Sequence, residues 1–304
     1  GSTNTGLGHN ALNSNTTASN NTAVGYQAAY NTTTSGSNTA LGDSSFFTNT
    51  TGYGNSSVGW LSLYSNTTGI FNTAIGRQSL YSNTTASNNT AVGYQAGYAN
   101  TTGTGNALLG QVVGASLTTG SYNTAMGQNA LNGATSPTHN TAIGQSALYL
   151  TSTGGFNTAL GASALYSNTT ASNNTAVGYQ AAYSNTNASS NTAVGWKASF
   201  SNSTGVENTA VGDQALFSHT GSFTTAVGYL ALYANTTGGE CTAVGRAALR
   251  SSTTGNYNVA MGSGALYTNT TGGSNTGLGL NALNLNITGS NNLAVGTFAL
   301  QNTN

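Results

Sequence analysis

Charged side chains are almost missing from this chain of 304 residues. It has four Lys or Arg and four Asp or Glu, so 3% of its residues are charged, where roughly 25% is typical of soluble domains. There is no basic cluster, so the electrostatic attraction that drives most non-specific nucleic-acid binding is lacking. We therefore expect no nucleic-acid partner, and no attraction to an anionic membrane surface.

Proline, cysteine and long apolar runs are also scarce. Pro137 and Cys241 are the only residues of their types, and one cysteine cannot form an internal disulfide. No run of about 18 apolar residues is present, which predicts that no segment inserts into a membrane. The 42 glycines and the low charge would be compatible with disorder, but the apolar residues recur at fixed positions, which favours a folded chain.

The sequence consists of 17-residue repeats with the consensus N-T-A-V-G-Y-Q-A-L-Y-S-N-T-T-G-S-N, whose positions we number 1 to 17. The spacing breaks once, by a one-residue deletion near residues 217–224. Short internal repeats are the signature of solenoids, so we predict one continuous β-solenoid domain over residues 1–304. The eighteen copies begin at residues 4, 21, 38, 55, 72, 89, 106, 123, 140, 157, 174, 191, 208, 224, 241, 258, 275 and 292.

The pattern within a copy predicts two short strands. Position 4 is apolar in every copy and position 2 is nearly always Thr, which is the period-2, β-branched pattern of a strand face. We predict that this face points inward. Position 3 is small except at Leu108, so we expect the other face to be closely covered as well. Positions 8 and 9, usually Ala-Leu, predict the second strand, and the polar remainder is typical of turns.

Position 5 is glycine in all eighteen copies. A position that accepts no Cβ predicts a positive-φ turn or a close approach of two backbones. The sequence thus predicts an all-β fold, a parallel β-roll of about eighteen coils.

So thin a coil has little core of its own. Two or three small apolar side chains contribute roughly 1.5–3 kcal/mol each, against an ordering cost of about 1–2 kcal/mol per backbone residue. This balance favours lateral association with other copies, and the small residues at positions 3 and 8 are where we expect a neighbour to approach.

The order Asn-Thr-Ala-Val-Gly, Ala-Leu, Asn-Thr-Thr-Gly resembles the head repeats of trimeric autotransporter adhesins and the repeat arrays of bacteriophage and viral tail fibres. This resemblance implies a left-handed parallel β-roll with three chains side by side, which serves as a stalk or adhesive head. It also implies an extracellular protein, on a cell surface or a virion, whose partners are its own copies, in a homotrimer or an end-to-end filament, and a surface glycan or receptor.

Catalytic and metal-binding patterns are not found. His9, His139 and His219 lack metal-ligand spacing, and Cys241 has no histidine base nearby in the sequence. Asp43 and Asp213 share position 6 but lie ten coils apart, whereas glycoside hydrolysis needs two carboxylates about 5–10 Å apart. We expect no enzyme activity, no cofactor and no metal.

Two sets of residues are candidate sites. Aromatic residues at position 6 could stack on sugar rings, although packing against neighbouring coils is the more usual explanation of such columns. Asparagines that begin N-x-S/T motifs could carry glycans, or form a repeated turn. The aromatic set is Tyr26, Trp60, Tyr94, Tyr179, Trp196 and Tyr229, and the asparagine set is Asn15, Asn49, Asn66, Asn83, Asn100, Asn168, Asn202, Asn235, Asn269 and Asn286.

Uniform repeats favour length and stiffness over a unique site, so we expect a non-enzymatic structural or adhesive fibre. The alternative is an ice- or carbohydrate-binding solenoid that uses the Thr or aromatic columns. Position 2 is the best Thr column for ice but is predicted inward, and the Thr columns at positions 13 and 14 are interrupted at Asn187, Gly221 and Ile287. A carbohydrate-active enzyme is disfavoured because acids are so few.

Overall fold

The computed structural model describes residues 3–301, none of which is helical. The chain divides into two compact units, Gly1–Gly155 and Phe156–Asn304. In both units each repeat contributes one three-residue strand at positions 2 to 4. Unit 1 contains β1 (Thr5–Leu7), β2 (Thr22–Val24), β3 (Thr39–Leu41), β4 (Ser56–Val58), β5 (Thr73–Ile75), β6 (Thr90–Val92), β7 (Ala107–Leu109), β8 (Thr124–Met126) and β9 (Thr141–Ile143). Unit 2 contains β10 (Thr158–Leu160), β11 (Thr175–Val177), β12 (Thr192–Val194), β13 (Thr209–Val211), β14 (Thr225–Val227), β15 (Thr242–Val244), β16 (Val259–Met261), β17 (Thr276–Leu278) and β18 (Leu293–Val295).

Successive strands within each unit pair in parallel and in register. In unit 2, for example, Thr175 pairs with Thr192 and Val177 with Val194, and the same register recurs in unit 1. Equivalent positions of neighbouring coils therefore stack on one another, ~4.8 Å apart. The predicted all-β, parallel β-solenoid is confirmed within each unit. The single domain over residues 1–304 stays a prediction, and its residues 1–2 and 302–304 lie outside the described part of the chain.

The prediction of a second strand at positions 8 and 9 is wrong. The segment after the strand is a series of turns, because positions 7 and 9 adopt left-handed backbone angles. In one coil Gln78 has φ 57° and Leu80 has φ 47°, and a residue in that region cannot continue an extended strand.

The predicted direction of the strand faces is also wrong. Position 3 points inward, as Ala176 and Ala193 illustrate with no exposed surface. Positions 2 and 4 point outward, so the apolar column at position 4 lies on the surface, where Met126 and Met261 are each 46% exposed. The interior is too narrow for a large side chain on the strand, because Leu at position 9 and small residues at positions 3 and 8 already fill it.

Leu108 illustrates how tightly the interior volume is conserved. This leucine stands at position 3, where other copies carry a small residue, and it is fully buried. Glycine stands at position 9 both in its own copy, as Gly114, and in the preceding copy, as Gly97, and a Cβ on Gly97 would lie 2.9 Å from Cδ1 of Leu108. Position 3 has gained the volume that position 9 has lost, as expected of a close-packed interior.

The position-5 glycines satisfy both parts of the prediction made for them. Gly178 has φ +134°, and a Cβ there would lie 2.4 Å from the carbonyl oxygen of Gly195 in the next coil. Each coil turns at this glycine and rests directly on the backbone of its neighbour, which excludes any side chain.

The deletion removes position 14 of the copy that begins at Asn208. Gly221 accepts a hydrogen bond from the amide of Asn208 thirteen residues away, whereas in the preceding copy Gly205 accepts the same bond from Asn191 fourteen residues away. The strands on either side keep their register, with Thr209 opposite Thr225. The lost residue is an exposed turn position in the other copies, so its absence leaves the interior unchanged.

Candidate functional site

The outward side of the strands is the most regular surface of the molecule. We define the strand face as the side chains at positions 2 and 4. Thr occupies position 2 in fourteen of the eighteen copies, and position 4 is Val, Leu, Ile or Met throughout. The column at position 4 includes Ile75, 42% exposed, and Leu160, 45% exposed. No charged residue interrupts the strand face, which therefore presents parallel rows of hydroxyl and apolar groups.

Position 6 follows the glycine turn, and all six of its candidate aromatic residues are exposed. The exposed fractions run from 39% for Tyr94 to 50% for Tyr26. Arg77 lies between two of the rings, its guanidinium carbon 4.5 Å from the centroid of Trp60 and 5.6 Å from that of Tyr94. In unit 2 the ammonium of Lys197 lies 4.6 Å from Trp196. The exposure of these rings is compatible with glycan contact, which stays a prediction.

Long runs of aromatic stacking between coils occur at position 10, whereas at position 6 the ring of His9 stacks on that of Tyr26, 5.7 Å away. In unit 1 the half-buried rings of Tyr64 and Tyr81 are 5.3 Å apart and nearly parallel, and the same stacking runs from residue 30 to residue 98. In unit 2 it runs from residue 166 to residue 233. Offset stacks of this kind stabilise neighbouring coils by about 0.5–1.5 kcal/mol per pair, so this column has a structural role.

The asparagines of the N-x-S/T motifs form a buried column. Asn15 is partly exposed, whereas the other nine are at most 1% exposed. Their side-chain amides are used internally: Nδ2 of Asn83 donates to Oδ1 of Asn66 at 2.8 Å and to the carbonyl oxygen of Ala86 at 3.1 Å. A glycan on these amides is incompatible with the folded coil, so the structure argues against glycosylation at the nine buried positions.

A second buried asparagine column lies at position 1, directly before the strand, and was not predicted from the sequence. Oδ1 of Asn21 accepts from the backbone N–H of Asn38 at 3.0 Å, and Nδ2 of Asn38 donates to the carbonyl oxygen of Gly52 at 3.1 Å. The sequence did contain a signal for this column: Asn is nearly invariant at position 1, whereas a residue in a solvent-exposed turn would be free to vary. These columns satisfy the backbone groups of the turns, which burial would otherwise leave unpaired.

Two titratable residues replace members of these columns. His219 takes an asparagine's place at position 12, with Nδ1 3.2 Å from Oδ1 of Asn235, and desolvation by burial lowers its pKa to about 4 despite that hydrogen bond. Cys241 takes position 1, and its thiol contacts the carbonyl oxygen of Gly255 at 3.3 Å. Burial raises the pKa of Cys241, which disfavours the reactive thiolate.

Other chemistry is scarce in the described part of the chain. Residues 3–301 contain no cluster of three or more His, Cys, Asp or Glu side chains that could hold a metal ion. No helix suited to crossing a membrane occurs among those residues. The carboxylates are exposed and dispersed, and Asp43 accepts a hydrogen bond from the hydroxyl of the adjacent Ser44 at 2.6 Å. That the protein is not an enzyme stays a prediction.

The comparisons with known proteins give no match. No protein-family model matches the chain, and no curated protein has a significantly similar sequence. The chain is a β-solenoid repeat protein, and the resemblance to adhesin heads and tail fibres remains one of sequence pattern.

Proposed function

We propose that the chain is a non-enzymatic structural fibre protein that acts outside the cell, on a cell surface or a virion, and that its strand face binds other copies of itself. The observation that carries this proposal is the exposed apolar column at position 4. Soluble monomers rarely expose contiguous apolar surface on this scale. Here position 4 carries an exposed or half-buried apolar side chain in every copy, and no charge opposes contact between two such faces.

Periodicity favours a second copy of the chain as the occupant. Side chains on the strand face recur at the spacing of the coils. A partner that contacts many of these side chains at once must present its own side chains at the same spacing. Another copy of this chain provides that spacing. The interior also favours association, because each coil buries only a few apolar side chains of its own, at positions 3, 8 and 9. The number three comes from the resemblance to trimeric adhesins, and end-to-end growth would extend the same assembly into a filament.

Light scattering on the purified chain tests the proposal. We expect a mass of three times 30.3 kDa for the unmodified protein. A triple variant, Ile75→Lys, Leu109→Lys and Ile143→Lys, places one charge in each of three alternate coils of the strand face, at β5, β7 and β9. We expect it to be monomeric, because burying unpaired charges opposes association. Unmodified chain that is monomeric at all concentrations would refute self-association.

A matched control adds the same charge on the turn side of the coil. The variant Thr85→Lys, Thr119→Lys and Thr153→Lys changes exposed residues at position 14 in unit 1, the unit that carries the triple variant of the strand face. We expect it to assemble like the unmodified chain. Loss of assembly in both variants would point to net charge instead of the strand face.

Ice binding is the second candidate, and one observation favours it. The Thr column at position 2, expected to be buried, faces outward at ~4.8 Å per coil and could order water along the strand face. The hydroxyls of position 13 are less available, since Oγ1 of Thr84 donates to the carbonyl oxygen of Thr101 at 3.1 Å. A monomer whose thermal hysteresis is abolished by Thr192→Tyr would favour this candidate over the fibre.

A further inference from the structure

We infer that unit 2 has a ligand site for a sugar that carries a carboxylate, such as a uronic acid. The site is an open cavity of about 520 Å³ beside the turn that follows the strands, and its lining includes Arg246, Arg250, Tyr229, Ser263, Asn281 and Asn284. This volume lies within the usual range for small-molecule sites, about 300–1,000 Å³. The inference is independent of self-association through the strand face.

The cavity exists because one copy carries small residues where its neighbours carry large ones. Position 6 runs Tyr229, Arg246, Ser263 and Leu280 in four successive copies, so Ser263 leaves a gap in the column. Position 7 of the same copy is Gly264, where a Cβ would lie 2.2 Å from Oδ1 of Asn281. The small residues Ser263 and Gly264, both in this copy, therefore leave the floor of the cavity open.

Positive charge is concentrated at this cavity. It holds two of the four Lys and Arg residues of the chain. Within residues 3–301 neither arginine forms an ion pair with a carboxylate. Nη1 of Arg250 donates to the hydroxyl of Tyr267 at 2.7 Å, and the guanidinium carbon lies 5.6 Å from the centroid of that ring. Arg250 is thus held in place, and the exposed Arg246 completes a pair suited to a carboxylate.

The remaining lining suits a sugar ring. Tyr229 is 47% exposed and offers an aromatic face for the apolar side of the ring. Nδ2 of Asn284 donates to the carbonyl oxygen of Gly264 at 3.0 Å and to Oδ1 of Asn281 at 3.1 Å, which fixes two amides at the rim. Together with Ser263 they provide hydrogen-bonding groups for sugar hydroxyls, as specific small-molecule sites do.

An NMR titration of the full chain tests this site with two ligands, methyl β-D-glucuronide and methyl β-D-glucoside. They differ only at C6, where the glucuronide has a carboxylate and the glucoside a hydroxymethyl group. We expect the glucuronide to bind about tenfold more tightly or better, the scale of a charged hydrogen bond. Arg246→Gln should weaken glucuronide binding to a similar extent. Ser263→Leu, which introduces the residue that the next copy carries at position 6, should abolish binding by filling the cavity without a change of charge.

Arg77→Gln is the matched control, because Arg77 occupies position 6 in unit 1 and does not line this cavity, and we expect unchanged binding. Equal affinity for the two glycosides, or no binding of either, would overturn the inference. Inorganic sulfate that binds as tightly as the glucuronide would also overturn it, because the site would then select an anion and not a sugar. Light scattering on the same variants separates loss of the site from loss of assembly.

Discussion

Replacing the position-5 glycine of one coil by alanine is the sharpest test of how the coils stack. In Gly178→Ala the new Cβ would lie 2.4 Å from the carbonyl oxygen and 2.7 Å from the carbonyl carbon of Gly195. Both contacts are with backbone, which no rotamer change can relieve. The residue would also have to adopt φ +134°, a region that is unfavourable for any residue with a Cβ.

The magnitude follows from these two effects. Backbone strain costs about 1–3 kcal/mol, and forcing an extra carbon into a packed site costs about 1–3 kcal/mol. We therefore expect local destabilisation of about 2–6 kcal/mol. Because coils in a solenoid contact only their neighbours, the loss should be local. Hydrogen exchange should lose protection by about 30-fold or more at the amide N–H groups of Gly178 and Gly195, which donate to Leu160 and Val177.

Gly277→Ala is the matched control. This glycine occupies position 3, where most copies carry alanine, and has no left-handed φ. We expect a neutral or slightly stabilising effect, up to about 1 kcal/mol, through reduced freedom of the unfolded chain. If Gly178→Ala were as stable as Gly277→Ala, the close backbone stacking described above would be refuted.

Three further outcomes follow from the interior. Leu266→Ala should lower the free energy of unfolding by about 2–5 kcal/mol and Met261→Ala, in the same coil, by no more than about 0.5 kcal/mol. Thermal melting of both variants, made in the monomeric triple-lysine background of the strand face, measures this difference, and the reverse order would support the inward prediction for position 4. Leu108→Ala should cost about 2–5 kcal/mol, and adding Gly114→Leu should recover part of that loss, as a double-mutant cycle would reveal. His219→Asn should remove a pH dependence: the pKa of His219 falls from 6.5 unfolded to about 4 folded, so its contribution is complete above pH 6.5 and falls by up to about 3 kcal/mol as pH drops towards 4.

The control for the histidine is His9→Asn, which removes an exposed imidazole. Urea unfolding of both variants and the unmodified chain between pH 4 and 7 gives the difference, and the exposed carboxylates cancel because all three proteins share them. An unchanged pH profile in His219→Asn would contradict the burial of that ring.

Several features of the fold could be predicted from the sequence because they repeat. The 17-residue period, the parallel register it imposes and the glycine turn depend on backbone geometry that is identical in every coil. Gly178 and its equivalents accept no other residue, and such invariance is visible in a single sequence of eighteen copies. The aromatic residues at position 6 were visible for the same reason, although the sequence did not reveal that the long runs of stacked rings lie at position 10.

The direction of the strand faces required the tertiary structure. Both faces of the strand are apolar, and hydrophobicity alone favoured Val177 over Ala176 for the interior. Residue size was the better signal: position 4 accepts Val, Leu, Ile and Met, as a surface does, whereas position 3 accepts little beyond alanine. The space that remains inside a coil for a strand side chain depends on the other buried side chains of the coil, above all on the leucine at position 9. For the same reason the asparagines, typical of exposed turns, are buried: their amides pair with backbone groups that only the stacked coils bring within reach. The sequence by itself therefore determined the repeat, the register and the turn at glycine, while the three-dimensional stacking decided which side chains face the solvent and so which surface can bind.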